Sequence, residues 1–157
     1  MSDIKYTGGC LCGSVSYTIS SEPKLAYGCY CKFCQRVTGA AFRAGMTIDK
    51  SALQFSGDKT ATFKYVHPER GRALITHFCG KCGINIGTEL ERFPDVQVIT
   101  LGTLDQPDEI DVSLHMCADE ALHWVAFNES DTVYPAHRLN PDGSPATSRR
   151  TKIKCTL

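Results

Sequence analysis

Apolar and polar residues alternate over short runs along most of this chain. A period of two is the signature of strands with one buried face. In "SVSYTIS" (14–20), Val15, Tyr17 and Ile19 share one face, with serines and threonine on the other. "ALQFSG" (52–57) and "ATFKYV" (61–66) flank Asp58-Lys59 and predict a hairpin. "RALITHF" (72–78), "NIGTEL" (85–90), "VQVITLGTL" (96–104) and "DVSLHMCA" (111–118) continue the pattern. In the third of these, apolar residues fall on both faces, which predicts a strand covered from two sides. The best helix candidate is short, from Asp119 to Val125, with Asp119 as its N-cap. The residues from Asn140 onward are polar. The pattern predicts a mainly β, mainly antiparallel fold with little helix, as one domain over 1–140 followed by a polar tail over 141–157.

Length and composition narrow the class. A chain of 157 residues fits one domain and can bury a core without disulfides. Hydrophobic residues are 42% and charged residues 22%, as in soluble globular proteins. No run approaches the roughly 18 apolar residues of a membrane helix. The opening "MSDIKYTGG" lacks a basic region followed by an apolar one. The expectation is a cytoplasmic protein that contacts neither membrane nor, given 17 basic and 17 acidic residues and no basic stripe, nucleic acid.

Nine cysteines change the picture. In a reducing compartment, clustered cysteines bind metal or do chemistry more often than they form disulfides. Cys10 and Cys12 lie in "GGCLCGSV", and Cys79 and Cys82 in "HFCGKCGINIG". Each pair ends a strand pattern and is followed by glycine, as in a zinc knuckle. Together they make a complete four-sulfur set for a structural zinc. Cys29, Cys31 and Cys34 in "GCYCKFCQRVTGA" make three. Three protein ligands and one open position describe a catalytic zinc. The same three could instead belong to a second closed site, completed by a residue such as His77, His115 or Cys117. Their spacing matches neither common ferredoxin run, which weakens an iron–sulfur reading. Cys117 otherwise reads as core, and Cys155 as a free thiol in the tail. Zinc on four thiolates and on three would bring the net charge to about −3.

In order and spacing, these three motifs resemble the glutathione-dependent formaldehyde-activating enzyme family, also called GFA or CENP-V-like. The resemblance runs over roughly residues 6 to 125. It implies a β-tent fold of antiparallel sheets pinned by zinc, with two zinc ions per chain. Cys10, Cys12, Cys79 and Cys82 match the family's structural ligands. Cys29, Cys31 and Cys34 match its catalytic ones. The activity it implies is carbon–sulfur chemistry, making or cleaving the adduct of glutathione and formaldehyde. Two positions depart from the family: Tyr30 stands where histidine is common, and His123 where proline is usual. His115 and Trp124 match.

A glutathione-like thiol carries two carboxylates, so its site calls for basic side chains and backbone amides. Arg36, Thr38 and Gly39, just past Cys34, are the candidate substrate contacts, with Arg43 beyond them. His77 is a candidate donor to a thiolate. Trp124 reads as core, or as a pocket wall. The leading expectation is a zinc-dependent carbon–sulfur lyase acting on an adduct such as S-hydroxymethylglutathione. The alternative is a non-catalytic, zinc-stabilised binding or chaperone-like module. Oligomeric state is not legible in the sequence.

Overall fold

The computed structural model describes residues Asp3–Arg149. In chain order its elements are β1 (Tyr6–Gly9), β2 (Val15–Ile19), β3 (Leu25–Cys29), the helix α1 (Lys32–Thr38), β4 (Arg43–Asp49), β5 (Leu53–Gly57), β6 (Ala61–Val66), β7 (Ala73–Phe78), β8 (Asn85–Leu90), β9 (Phe93–Thr100), β10 (Leu114–Met116) and β11 (Thr132–Val133). The fold is mainly β, and α1 is the one α-helix among the described residues. The chain forms two compact units. The first holds the residues up to Leu25 and Gly45–Ile110, and the second Ala26–Ala44 and the residues from Asp111 on.

In the first unit β2 is the middle strand of an antiparallel three-stranded sheet, between β1 and β5. Its alternation is realised: Val15, Tyr17 and Ile19 are buried, while Ser16 is exposed. The Tyr17 hydroxyl, too polar to bury alone, lies 2.8 Å from Thr103 Oγ1. β6, β7, β8 and β9 form an antiparallel meander, and β9 pairs on its other side with β4 from Gly45 to Asp49. Gln97, Val98 and Ile99 are all buried, so β9 is covered on both faces there, as its double apolar pattern predicts.

The structure differs from two sequence expectations. β5 and β6 do not form a hairpin. β5 pairs with β2, in the register Tyr17↔Phe55 and Ile19↔Leu53, and β6 pairs with β7. Alternation reports a strand and its faces but not its partner. The apolar positions of β5 lie opposite those of β2, with Phe55 set edge-on to Tyr17. Asp58 N donates to Ser14 O at 2.8 Å, closing the chain toward β2.

The second correction concerns the helix. Of residues 119–125, only the 3-10 turn Ala118–Glu120 has helical character, and Ala121 is already extended. The helix that forms is α1. It starts at Cys31, whose sulfur accepts from Cys34 N, and ends at Gly39, which is left-handed with φ of 64°. Sulfur is outside the usual N-cap set of oxygens, which hid this start inside a metal-binding motif.

In the second unit β3, β10 and β11 run parallel, with His115↔Gly28, Met116↔Cys29 and His115↔Val133 in register. This departs locally from the antiparallel pattern. Among the described residues no helix is long and apolar enough to cross a membrane. Cys155 and the tail beyond Arg149 lie outside the described residues.

Candidate metal centres

The first cysteine group is built by two matching turns in the first unit. After β1, Cys10 N donates to Val15 O at 2.9 Å and Gly13 N to Cys10 O at 3.1 Å. After β7, Cys79 N donates to Ile84 O at 3.0 Å and Gly83 N to Cys79 O at 2.9 Å. Both turns need a left-handed residue, and Gly13 and Gly83 supply it with φ of 74° each. The sulfurs of Cys10, Cys12, Cys79 and Cys82 consequently lie within 4.8 Å of one another.

Their spacing discriminates between chemistries. Cys10 and Cys12 sulfurs are 3.6 Å apart, and Cys12 and Cys79 sulfurs 3.7 Å. A disulfide would require about 2.05 Å. Four sulfurs at the zinc distance of about 2.3 Å define a tetrahedron with edges of about 3.8 Å. The thiols sit at the spacing of a metal tetrahedron. Hydrogen bonding from Ser14, side chain first and then backbone, pulls the Cys12 thiol down to about 6. Backbone donation from Ile84 leads the lowering at Cys82. Cys79 goes the other way, up to about 11: backbone donation from Cys82 and Lys81 is outweighed by burial and by the Cys10 and Cys82 thiols. Cys12 and Cys82 therefore offer the thiolate form that binds metal.

The second group lies in the second unit. Cys29 ends β3, Cys31 caps α1, and Cys117 follows β10. These three sulfurs also lie within 4.8 Å of one another, with Cys29 and Cys31 at 3.6 Å. Cys34, in the first turn of α1, interacts with both Cys29 and Cys31. Cys117 is buried as expected of a core residue, yet it stands among the thiols rather than in an apolar core. It is the one non-glycine residue with positive φ among those described, at 57°. That conformation costs on the order of 1–3 kcal/mol and persists only where surroundings enforce it.

What enforces it is visible. Tyr30 N donates to Met116 O at 3.0 Å, and Cys117 N to Ala136 O at 2.7 Å. Glu120, three residues on, caps the helix: its Oε2 accepts from Lys32 N at 3.0 Å, and its carbonyl from Gln35 Nε2 at 3.0 Å. The turn after β10 is thus tied to the start of α1. Charge in this group is unbalanced. Cys31 is held low, first by the Cys117 thiol and then by Cys29 and Cys34. Cys34 and Cys117 are pushed up, first by Cys29 and Cys31 as neighbours and then by burial. Thiolates this close do not all ionise without a cation between them. Donor type, spacing and charge all fit a zinc ion at either group.

Beside the second group runs a buried polar chain. His115 Nε2 lies 3.2 Å from Asp131 Oδ2, and His115 Nδ1 lies 3.1 Å from the Tyr30 hydroxyl. Burial pushes Tyr30 up to about 12 and lowers His115. A carboxylate only accepts, so Nε2–H donates to Asp131, and Nδ1 of the neutral ring accepts from Tyr30. Phe42 and Phe127 pack on Tyr30, with ring centroids 5.0 and 5.3 Å away. Tyr30 is not an idle spacer between two cysteines, and Asp131 gave no signal in the sequence.

The expected substrate contacts are placed as follows. Arg36 is exposed on α1. The Thr38 hydroxyl donates to Cys34 O at 2.8 Å, and the amides of Gly39 and Ala40 both close on Gln35 O. Arg43 is not a solvated charge but a buried one, 2% exposed. His77 spends its ring nitrogens on Thr60, at 3.0 Å, and Glu89, at 2.9 Å, rather than on a thiolate. Trp124 is not core, being 62% exposed.

No curated protein matches this chain. A crystal structure of a Rhodobacter sphaeroides protein, solved in a structural-genomics programme, resembles it with a TM-score of 0.51 and 23% identity, over 68% of this chain and 96% of that one. That likeness concerns the fold. The family model described as glutathione-dependent formaldehyde-activating enzyme matches residues 5–120, a span that contains both cysteine groups. The chain belongs to the glutathione-dependent formaldehyde-activating enzyme family.

Proposed function

We propose that the protein is a zinc-dependent carbon–sulfur lyase that makes or cleaves a thiol–aldehyde adduct of the S-hydroxymethylglutathione type. Cys10, Cys12, Cys79 and Cys82 would hold a structural zinc, and Cys29, Cys31 and Cys34 the zinc at which the substrate reacts. The observation that carries the reading is the second group of converging thiols in a member of this family. A zinc ion there supplies Lewis-acid stabilisation of a substrate sulfur as thiolate.

The chain's own residues supply position. Cleavage of a hemithioacetal passes the hydroxyl proton to solvent, forms the carbonyl, and sends the carbon–sulfur electron pair to sulfur, which leaves as thiolate. β3 ends in Cys29, Cys31 caps α1, and Cys34 in the first turn of α1 interacts with both. Arg36, exposed on the same helix, is available to a carboxylate of an anionic tripeptide. The Asp131–His115–Tyr30 chain fixes the Cys29–Cys31 turn, since Tyr30 lies between those cysteines and is anchored by His115. His115 has both ring nitrogens engaged and acts in this reading as a positioning residue.

The test is the rate of exchange between formaldehyde plus glutathione and their adduct, followed by NMR with zinc-replete protein. Acceleration above the uncatalysed rate is expected, and is lost in the double variant Cys29→Ser/Cys31→Ser. Absence of acceleration would favour a second reading, a closed zinc scaffold without turnover. The observation favouring that reading is the additional sulfur of Cys117, within 4.8 Å of those of Cys29 and Cys31.

A further inference from the structure

The geometry points to Cys117 as the fourth sulfur ligand of the second centre, and as the ligand that gives way to an entering thiol. The first half stands on placement alone. The Cys117 sulfur shares the 4.8 Å neighbourhood of Cys29 and Cys31, the two thiols common to any metal set here. Cys29 and Cys31 already stand 3.6 Å apart, near the tetrahedral edge of about 3.8 Å. Parallel pairing of β10 with β3 sets Met116 opposite Cys29, which brings the next residue to the metal side of the Cys-Tyr-Cys turn. A left-handed backbone at Cys117 then reverses the chain beside those thiols. β-Branched and bulky residues avoid that conformation, which here is held by the Cys117 N to Ala136 O hydrogen bond.

The second half rests on the lyase reading. Four sulfurs leave a zinc ion no vacancy, so a substrate thiol enters only by exchange. Cys34 is built into α1, whose start is capped by Cys31 and Glu120. Cys117 sits outside any helix or strand, between β10 and a 3-10 turn, so its side chain can swing away without unwinding an element. The exchange balances without oxidant or reductant. The substrate S–H loses its proton and its sulfur takes the ligand position, while the Cys117 thiolate leaves that position and takes the proton.

Cobalt(II) in place of zinc gives the readout, because each cobalt–sulfur bond adds charge-transfer absorbance. The full chain and its Cys117→Ser variant are loaded with cobalt, and metal per chain is measured beside the spectrum. Two cobalt ions are expected in both proteins. The variant should show roughly an eighth less sulfur-to-cobalt absorbance, one thiolate in eight, and a shift of the visible bands. Glutathione should restore the lost absorbance in the variant. Identical spectra for variant and wild type would overturn the ligand assignment. A loss that glutathione does not restore would overturn the exchange and leave the ligand. Should Cys117→Ser not fold, X-ray absorption on wild-type zinc protein decides. Four sulfurs per zinc on average supports the assignment, and about three and a half contradicts it. None of these readouts depends on turnover, so a protein with the expected spectra and no adduct exchange would overturn the lyase reading alone.

Discussion

His115 lies across Gly28, so close that a Cβ at position 28 would stand 2.8 Å from His115 Nδ1. The two residues are paired in register between β3 and β10. A side chain at 28 would push the imidazole from its place between Tyr30 and Asp131. Gly28→Ala is therefore expected to destabilise the second unit by about 1–3 kcal/mol, the cost of overpacking. It should lower metal content at the second centre while the four-cysteine group stays filled. Zinc per chain and a melting curve check both parts.

Tyr30 anchors the same imidazole through its hydroxyl. Tyr30→Phe keeps the ring contacts with Phe42 and Phe127 and removes the hydroxyl that donates to His115 Nδ1. A buried acceptor left without its donor costs about 1–3 kcal/mol. Chemical denaturation should show a loss of that size. An unchanged midpoint would mean that water replaces the hydroxyl.

At the first centre, metal binding and folding should be one event. Cys10–Cys12 and Cys79–Cys82 join turns far apart in sequence around one point. Their ligand energy is then folding energy. Cys10→Ala or Cys82→Ala is expected to lower the melting temperature sharply, and a strong chelator should do the same to wild type. Zinc-replete protein with an unchanged melting temperature from either variant would refute the structural assignment.

How far the sequence went can be read from these residues. The two turns of the first centre were legible because each carries its glycine beside its cysteines, and because β2 alternates cleanly. The partner of β5 was not legible, since any strand with a matching face would satisfy Leu53 and Phe55. The helix was missed because its cap is a sulfur, and the "ADEALHWV" run, helical by propensity, has Trp124 in solvent and no apolar surface to cover it. Cys117 and Asp131 acquire their roles only through the parallel register of β3, β10 and β11. No local pattern encodes that register.

Arg36 offers a test of substrate class. If it pairs with a glutathione carboxylate, Arg36→Ala should weaken binding by about 1–3 kcal/mol, the worth of a charged hydrogen bond. Because the side chain is exposed, the melting temperature should hardly move. Calorimetry with glutathione and zinc-replete protein measures the first, and equal affinities would return Arg36 to a plain surface charge.

Whether the chain holds two separate zinc centres is decided by zinc per chain, by elemental analysis, on wild type and on Cys29→Ser/Cys31→Ser. Those two thiols belong to the second group and are absent from the first. Two separate centres require about two zinc ions in wild type and about one in a folded double variant, by the tetrahedral ligand count. A wild type that holds one zinc even after zinc and glutathione are supplied, or a double variant that still holds two, would contradict two separate centres.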